Sequence, residues 1–147
     1  MEPTKARNHR SPLAQAVAES GTVVTQMLIV RDVARSIRFY RDILGAEVMR
    51  ERPPAMLRLH NAWLVLNFGG GPTDDKPDVS LGVPLVDEYA SSFLNIRVAD
   101  IQAVHELWKG RGASFLTPPL DRGAELRCYL RDPDGHLIEL GQTRPAG

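Results

Sequence analysis

The sequence has little of several features that would specify a particular class of protein. It contains one cysteine, Cys128, so no internal disulfide can form, which is typical of a protein from a reducing cytoplasm. Aromatic residues make up only 6% of the chain, and the longest apolar run, near residues 23–30, is too short to cross a membrane. No secretory signal pattern follows Met1. We therefore expect a cytoplasmic protein that does not bind membranes.

An excess of charge of one sign is also missing. The 147 residues include 18 Lys and Arg against 18 Asp and Glu, so the formal net charge is zero. Proteins that bind nucleic acid through phosphate contacts usually carry a basic excess, so we expect no nucleic-acid partner. The hydrophobic content of 43% is ordinary for a globular protein and excludes a largely disordered one.

The charges that are present are unevenly distributed along the chain. Residues 72–90 are acidic and contain proline, which predicts a linker. Residues 1–20 have little apolar content and are predicted to be a mobile extension. Residues 143–147 are predicted to form a short tail. These assignments leave two segments, 21–71 and 91–142, to build the core.

The two remaining segments look like one unit written twice. Four positions of the first segment match four of the second at a constant offset of 68, namely Val30, Asp32, Val33 and Tyr40 with Val98, Asp100, Ile101 and Trp108. Each segment is predicted to contain a strand, a helix and three further strands. Asp32 and Asp100 are suited to cap the helices, and Asp132 to Gly135 to form a hairpin turn.

A duplicated βαβββ unit that ends in Asp-Pro-Asp-Gly-His-Leu-Ile-Glu-Leu, residues 132–140, resembles the vicinal oxygen chelate superfamily. Segment 30–45 also closely resembles the first strand-to-helix segment of that family. The superfamily includes glyoxalase I, extradiol dioxygenases, fosfomycin-resistance enzymes and bleomycin-resistance proteins. The resemblance covers about residues 23–142. It implies an α+β fold in which two tandem βαβββ units form a curled mixed sheet, with helices on the outer face.

The resemblance also implies a cup that holds a divalent metal through four ligand positions. Residue by residue, these positions fall on Thr25, on Val65 or Leu66, on Phe93 and on Glu139. Glu139 alone is a ligand type that the family uses, because Phe93 and an aliphatic side chain cannot coordinate a metal. We therefore expect no cofactor, with a divalent metal as the less favoured alternative.

Strand alternation predicts which side chains share the cup with Glu139. We expect Glu139, Tyr129 and Arg127 to form the catalytic or central binding group. The predicted ligand-binding residues are Thr25, Met27, Phe93, Asn95 and Arg97. A purely structural alternative is that Arg97 or Arg127 forms an internal ion pair with Glu139.

Other residues are expected to have structural roles. Cys128 is predicted to be an inert buried thiol, and Trp63 and Trp108 to belong to the core. Four arginines of the first helix are expected to form a solvated face, with nucleic-acid or partner binding as the alternative; they are Arg31, Arg35, Arg38 and Arg41.

The hypothesis for function is a homodimeric, small-molecule-binding protein of the glyoxalase/bleomycin-resistance type, without a metal centre. The alternative is a lyase, an isomerase or a dioxygenase-like enzyme that uses Glu139 as a base or as a metal ligand. A third, weaker interpretation is a regulatory module without chemistry. The homodimer is expected because members of the superfamily often close the cup across a two-fold axis.

Overall fold

A computed structural model describes residues 21–145. The predicted mobile extension, residues 1–20, lies outside the described residues. The first half of the chain forms strands β1 to β4 and helix α1, followed by a π-helical turn. Their bounds are β1 Gln26–Ile29, α1 Val33–Arg38, the π-helical turn Phe39–Ile43, β2 Glu47–Arg50, β3 Ala55–Leu59 and β4 Ala62–Asn67.

The second half contains a longer helix and five strands. Their bounds are β5 Leu94–Arg97, α2 Ile101–Gly110, β6 Ser114–Phe115, β7 Leu120–Asp121, β8 Glu125–Arg131 and β9 Leu137–Thr143. We refer below to residues 21–71 as unit one and to residues 91–143 as unit two. The mixture of helices and sheets confirms the predicted α+β class.

Each unit forms its own mixed sheet with the same connectivity. The strand order is β1-β4-β3-β2 in unit one and β5-β9-β8-β6 in unit two, where β7 also pairs with β8. The first strand of each unit runs parallel to the last, β1 beside β4 and β5 beside β9, and the other pairs are antiparallel. A helix must therefore cross over between the parallel strands, as the sequence pattern predicts.

Both helices begin at the predicted aspartates. Asp32 accepts a hydrogen bond from the Arg35 backbone N–H at 3.0 Å, and Asp100 accepts one from Ala103 at 3.1 Å. The continuous helix expected after Asp32 instead widens into the π-helical turn at residue 39. Phe39 and Tyr40 are both buried there and meet edge to face, with ring centroids 4.9 Å apart. The wider turn brings two consecutive aromatic side chains to the core.

The helices and the helix-facing sides of both sheets share one hydrophobic core. It includes Leu57 and Leu64 from unit one and Trp108, Cys128 and Leu140 from unit two, all buried. Trp108 and Cys128 thus lie where the sequence predicts. Trp63 does not, because it shares the opposite sheet face with Val65 and is half-buried outside this core.

Polar contacts of the β8–β9 loop join the two units. Asp134 accepts hydrogen bonds from the Arg31 backbone at 3.2 Å, from Arg35 Nη2 at 3.0 Å and from Ser36 Oγ at 3.4 Å. The Tyr40 hydroxyl donates to Asp132 Oδ2 at 2.9 Å. The expected solvated arginine face is confirmed only in part, because the Arg31 and Arg35 side chains, which are 62% and 42% exposed, also contact a buried carboxylate of unit two.

None of the helices within residues 21–145 combines the length and the apolar character that crossing a membrane requires.

Candidate functional site

Three polar side chains of unit two lie side by side across its sheet. The register places Asn95 of β5 beside Glu139 of β9, and Glu139 beside Tyr129 of β8. Cys128 and Leu140, the neighbours on the opposite face, belong to the buried core. Asn95, Glu139 and Tyr129 therefore occupy the face of the sheet that points away from the helices. We call this surface the cup face of unit two, and its residues are Phe93, Asn95, Arg97, Glu125, Arg127, Tyr129 and Glu139.

Glu139 is the buried centre of the cup face, with only 6% of the residue exposed. Asn95 Nδ2 donates to one carboxylate oxygen at 2.6 Å, and the Tyr129 hydroxyl donates to the other at 2.8 Å. Two neutral donors thus fix the orientation of the carboxylate. Each oxygen keeps the capacity to accept a further hydrogen bond from a ligand.

The next row of the sheet carries two arginines separated by a glycine. Arg97, Gly141 and Arg127 are neighbours in the register. A Cβ atom built on Gly141 would meet Arg97 Cζ at 3.0 Å, so the missing side chain lets the Arg97 guanidinium lie across the sheet. Sequence reasoning missed this role of Gly141. The register of Arg97 against Gly141 across two parallel strands is the signal that could have revealed it.

The arginines are shared between two carboxylates. Arg97 pairs with Glu125, and its Nη2 also lies 3.5 Å from Glu139 Oε1. Arg127 Nη1 donates to Glu125 at 3.0 Å. The predicted internal pair of Glu139 therefore exists with Arg97. Arg127 pairs instead with Glu125, the first residue of β8.

The surroundings change the proton affinity of several groups. The hydrogen bond from Arg97 lowers the pKa of Glu125, so this carboxylate is ionised near neutral pH. Burial and the hydrogen bond to Glu139 raise the pKa of Tyr129, which keeps the phenol protonated as a donor. Burial alone raises the pKa of Cys128 to about 11, as expected for an unreactive thiol.

Aromatic side chains form one wall of the cup face. The rings of Phe93 and Tyr129 meet edge to face at 6.1 Å, and the Arg127 guanidinium lies 5.8 Å from the centre of the Tyr129 ring. Phe93 is 46% exposed, although it is large and apolar. An exposed ring beside ordered polar groups is typical of a surface that contacts a ligand or a partner.

Unit one presents a very different surface at the equivalent positions. Its register aligns Met27 with Val65 and Val65 with Met56, so Val65 rather than Leu66 corresponds to Glu139. Leu66 belongs to the core on the helix side. Thr25 lies just before β1, and Met27 is 45% exposed. Within residues 21–145 no hydrogen bond or ion pair joins Thr25 or Met27 to the Glu139 group.

The sequence matches one protein family over most of its length. Residues 22–140 fit the Glyoxalase/Bleomycin resistance protein/Dioxygenase superfamily. A lactoylglutathione lyase of Haemophilus influenzae is 29% identical over 128 residues, which cover 83% of this chain and 93% of that protein. A probable lactoylglutathione lyase of Vibrio parahaemolyticus is 26% identical over 140 residues, or 86% and 94% of the two chains.

Solved structures show the same fold. A glyoxalase/bleomycin resistance protein/dioxygenase from Nocardioides has a TM-score of 0.66 at 19% identity and covers 92% of this chain and 95% of its own. A fosfomycin resistance protein from Mesorhizobium loti has a TM-score of 0.58 at 17% identity, with 84% and 92% covered. The chain belongs to the glyoxalase/bleomycin resistance/dioxygenase superfamily, as its sequence motifs indicate.

The comparison corrects the expectation that the protein has no cofactor. The matching relatives carry the name of lactoylglutathione lyase, a metal-dependent class of enzyme, and members of the superfamily typically use a divalent metal. The expectation was based on residue types at four positions of a single chain. It gave those residue types more weight than the metal that the family resemblance itself implied.

The residues of this chain do not themselves fit a divalent metal. Among residues 21–145, no group of three or more His, Cys, Asp and Glu side chains is arranged to hold an ion. At the four family positions Glu139 is the single carboxylate, and its oxygens already accept hydrogen bonds from Asn95 and Tyr129. A divalent ion that needs about three protein ligands finds one of them here.

Proposed function

We propose that this member of the superfamily binds a small, oxygen-rich molecule on the cup face of unit two. The observation that carries the proposal is the Glu139 carboxylate, which is buried, held by two neutral donors and set in an otherwise open surface. Burying a carboxylate is unfavourable unless it is hydrogen-bonded, so a core position without a role would favour an apolar residue. The equivalent position of unit one is indeed occupied by Val65.

The surrounding groups indicate how such a molecule would be held. Glu139 would accept a hydrogen bond from a hydroxyl or amide of the ligand. The guanidinium groups of Arg97 and Arg127, both partly exposed, would donate to its carbonyl or carboxylate oxygens. The exposed ring of Phe93 would cover an apolar part of the ligand, while Thr25 and Met27 would contact it from unit one.

A second candidate function is a lyase or isomerase reaction on the same face. The names of the relatives, lactoylglutathione lyase and fosfomycin resistance protein, support this alternative. Glu139 would then act as a general base that takes a proton from the bound substrate. Arg127 would donate hydrogen bonds to the oxygen on which negative charge develops, while the Tyr129 hydroxyl continues to orient Glu139.

We also propose that the protein is a cytoplasmic homodimer. The exposed side chains of Met27 and Phe93 lie on the sheet faces opposite the helices, where a second chain would close the cup over a bound ligand. Sedimentation at tens of micromolar tests this, because a single species of 16.3 kDa would contradict it.

The experiment for the proposed function is a mass-spectrometric search for compounds that purify with the protein. Three proteins are compared, namely wild type, Glu139→Gln and the control Glu106→Gln on the exposed face of α2. We expect a compound that is retained by wild type and control and lost from Glu139→Gln. The melting temperatures should agree to within about 3 °C, because glutamine keeps the shape and one acceptor of glutamate.

The search is repeated with chelator and with added Zn²⁺ or Ni²⁺. Retention or turnover that depends on the added ion would favour the metal-dependent enzyme among the two candidates. Equal retention of the compound by wild type and Glu139→Gln would overturn the proposal, since the carboxylate would then have no part in binding.

A further inference from the structure

A second cleft lies at the junction of the two units. It has a volume of about 420 Å³ and is bordered by α1 and the π-helical turn of unit one. Unit two contributes the turn after α2 and the β8–β9 loop. The cleft shares no lining residue with the cup face, so whatever occupies it would bind independently of Glu139.

Four arginines line this cleft. They are Arg35, Arg38, Arg111 and Arg131. Arg111 Nη1 donates to the Ile43 carbonyl at 3.0 Å, and Arg131 donates to the carbonyls of Gly135 and Asp87, both at 3.0 Å. Arg111 and Arg131 are thus oriented by backbone oxygens, which are neutral and leave the charge of each guanidinium uncompensated.

Arg38 and Arg35 add further unused donors. The Arg38 side chain makes no hydrogen bond or short ion pair in the part of the chain that the structure describes, although its charge helps to lower the pKa of Asp42. Arg35 pairs with Asp134 through Nη2, while its Nε is buried and has no partner within residues 21–145. An unsatisfied N–H in a buried position is unfavourable unless a ligand or water accepts from it.

The two carboxylates in the lining are already engaged. Asp42 accepts two hydrogen bonds from Arg41, at 2.7 Å and 3.1 Å. Asp132 accepts from the Tyr40 hydroxyl and from the backbone N–H groups of residues 134 and 136. Asp132 keeps its negative charge, because its donors are neutral, but four guanidinium groups against two carboxylates still leave the lining with a net charge of +2.

We propose that this cleft binds a small oxyanion with two or more negative charges, either a phosphate ester or diphosphate or a polycarboxylate. Guanidinium groups donate paired N–H bonds that match the oxygens of phosphate and carboxylate. The volume is within the range of sites for small metabolites. Because one wall comes from each unit, an anion in the cleft would also hold the units together.

The test measures binding of inorganic pyrophosphate, inorganic phosphate and citrate by calorimetry, at constant ionic strength in sodium chloride. Arg38→Gln is the main variant, because this side chain makes no contact whose loss would unfold the protein. Arg122→Gln is the matched control, an exposed arginine that does not line the cleft. Arg111→Gln is the second variant.

We expect wild type and Arg122→Gln to bind pyrophosphate with a Kd of about 1 mM or lower. Arg38→Gln and Arg111→Gln should each weaken binding about tenfold. Pyrophosphate binding stronger than citrate binding would identify a phosphate site, and the reverse order a polycarboxylate site. Equal affinity in all four proteins, or no binding at about 10 mM ligand, would overturn the proposal. Glu139→Gln should bind pyrophosphate like wild type, which separates this site from the cup face.

Discussion

The two units share one backbone design but carry opposite chemistry on the sheet faces that point away from the helices. In unit two the row across the sheet reads Asn95, Glu139 and Tyr129. In unit one the equivalent row reads Met27, Val65 and Met56. The next row contains Arg97 beside Gly141 in unit two and Ile29 beside Asn67 in unit one. The same pairing of strands thus carries a hydrogen-bond acceptor site in unit two and an apolar surface in unit one.

The hairpins that precede the last strands differ as well. In unit one two residues, His60 and Asn61, connect β3 to β4. In unit two the connection is longer and includes Asp132 and Asp134, which contact unit one. The comparison shows that unit two supplies both the polar site and the main polar contacts of the junction. Unit one supplies the arginines and the tyrosine that complete the junction.

The largest expected effect on stability comes from removing Asp134, a carboxylate of unit two at the junction that has no counterpart in unit one. Asp134→Ala deletes a fully buried carboxylate that accepts from Arg31, Arg35 and Ser36. We expect the free energy of unfolding to fall by about 3 kcal/mol, because donors of unit one lose their partner. Urea denaturation measures the change.

The control for this prediction is Asp74→Ala, a change at an exposed residue between the two units, which should alter the free energy of unfolding by less than about 0.5 kcal/mol. A loss equally small in Asp134→Ala would mean that the junction depends on apolar contacts alone.

The next largest effect on the free energy of unfolding is expected when a carboxylate equivalent to Glu139 is introduced into unit one. Val65 is 7% exposed, and its neighbours Met27 and Met56 have no donors for a carboxylate. We expect Val65→Glu to cost about 2 kcal/mol of unfolding free energy. Adding Met27→Asn and Met56→Tyr, which copy Asn95 and Tyr129, should recover about 1 kcal/mol. No recovery in the triple variant would show that backbone register alone does not build the polar row.

A smaller effect is expected at the glycine beneath Arg97. Gly141→Ala would force the guanidinium away from the sheet and should cost about 1 kcal/mol. In an Arg97→Ile background, which copies Ile29 of unit one, the same alanine should cost less than about 0.3 kcal/mol. The coupling between the two changes, measured as a double-mutant cycle in urea, should therefore be close to 1 kcal/mol. Additive costs would contradict the idea that Gly141 exists to make room for Arg97.

The duplicated fold could be predicted because the repeat, and the periodicity within each unit, are visible directly in the sequence. The constant offset aligned Asp32 with Asp100, and both cap helices in the structure. Strand alternation was likewise enough to group Asn95, Tyr129 and Glu139 on one face, while their role in binding stays a prediction. The π-helical turn was missed, because periodicity does not distinguish it from an ordinary helical turn.

The junction could not be predicted, because its partners are far apart in the chain. Asp134 was assigned to a hairpin turn, and nothing in the local pattern indicates that it pairs with Arg31 and Arg35. The same limit explains why four arginines of different elements were not grouped into one cleft. The cofactor expectation was wrong because it relied on the side chains at four positions rather than on the metal that the family resemblance implied.

The smallest expected effect is a pH dependence that unit one lacks, since no carboxylate stands in its two-residue turn. Burial raises the pKa of Asp132 above its ordinary value, with partial compensation from His136 and from the Tyr40 hydrogen bond. The folded protein then binds this proton more tightly than the unfolded chain, so stability falls as pH rises between the unfolded and the folded pKa.

Asp132→Asn removes the titration. The free energy of unfolding of wild type, measured relative to Asp132→Asn, should therefore increase as the pH is lowered from 7 to about 4. Tyr40→Phe, which removes a hydrogen bond to the charged form, should steepen this dependence. A difference that stays constant over the pH range would show that Asp132 titrates alike in both states.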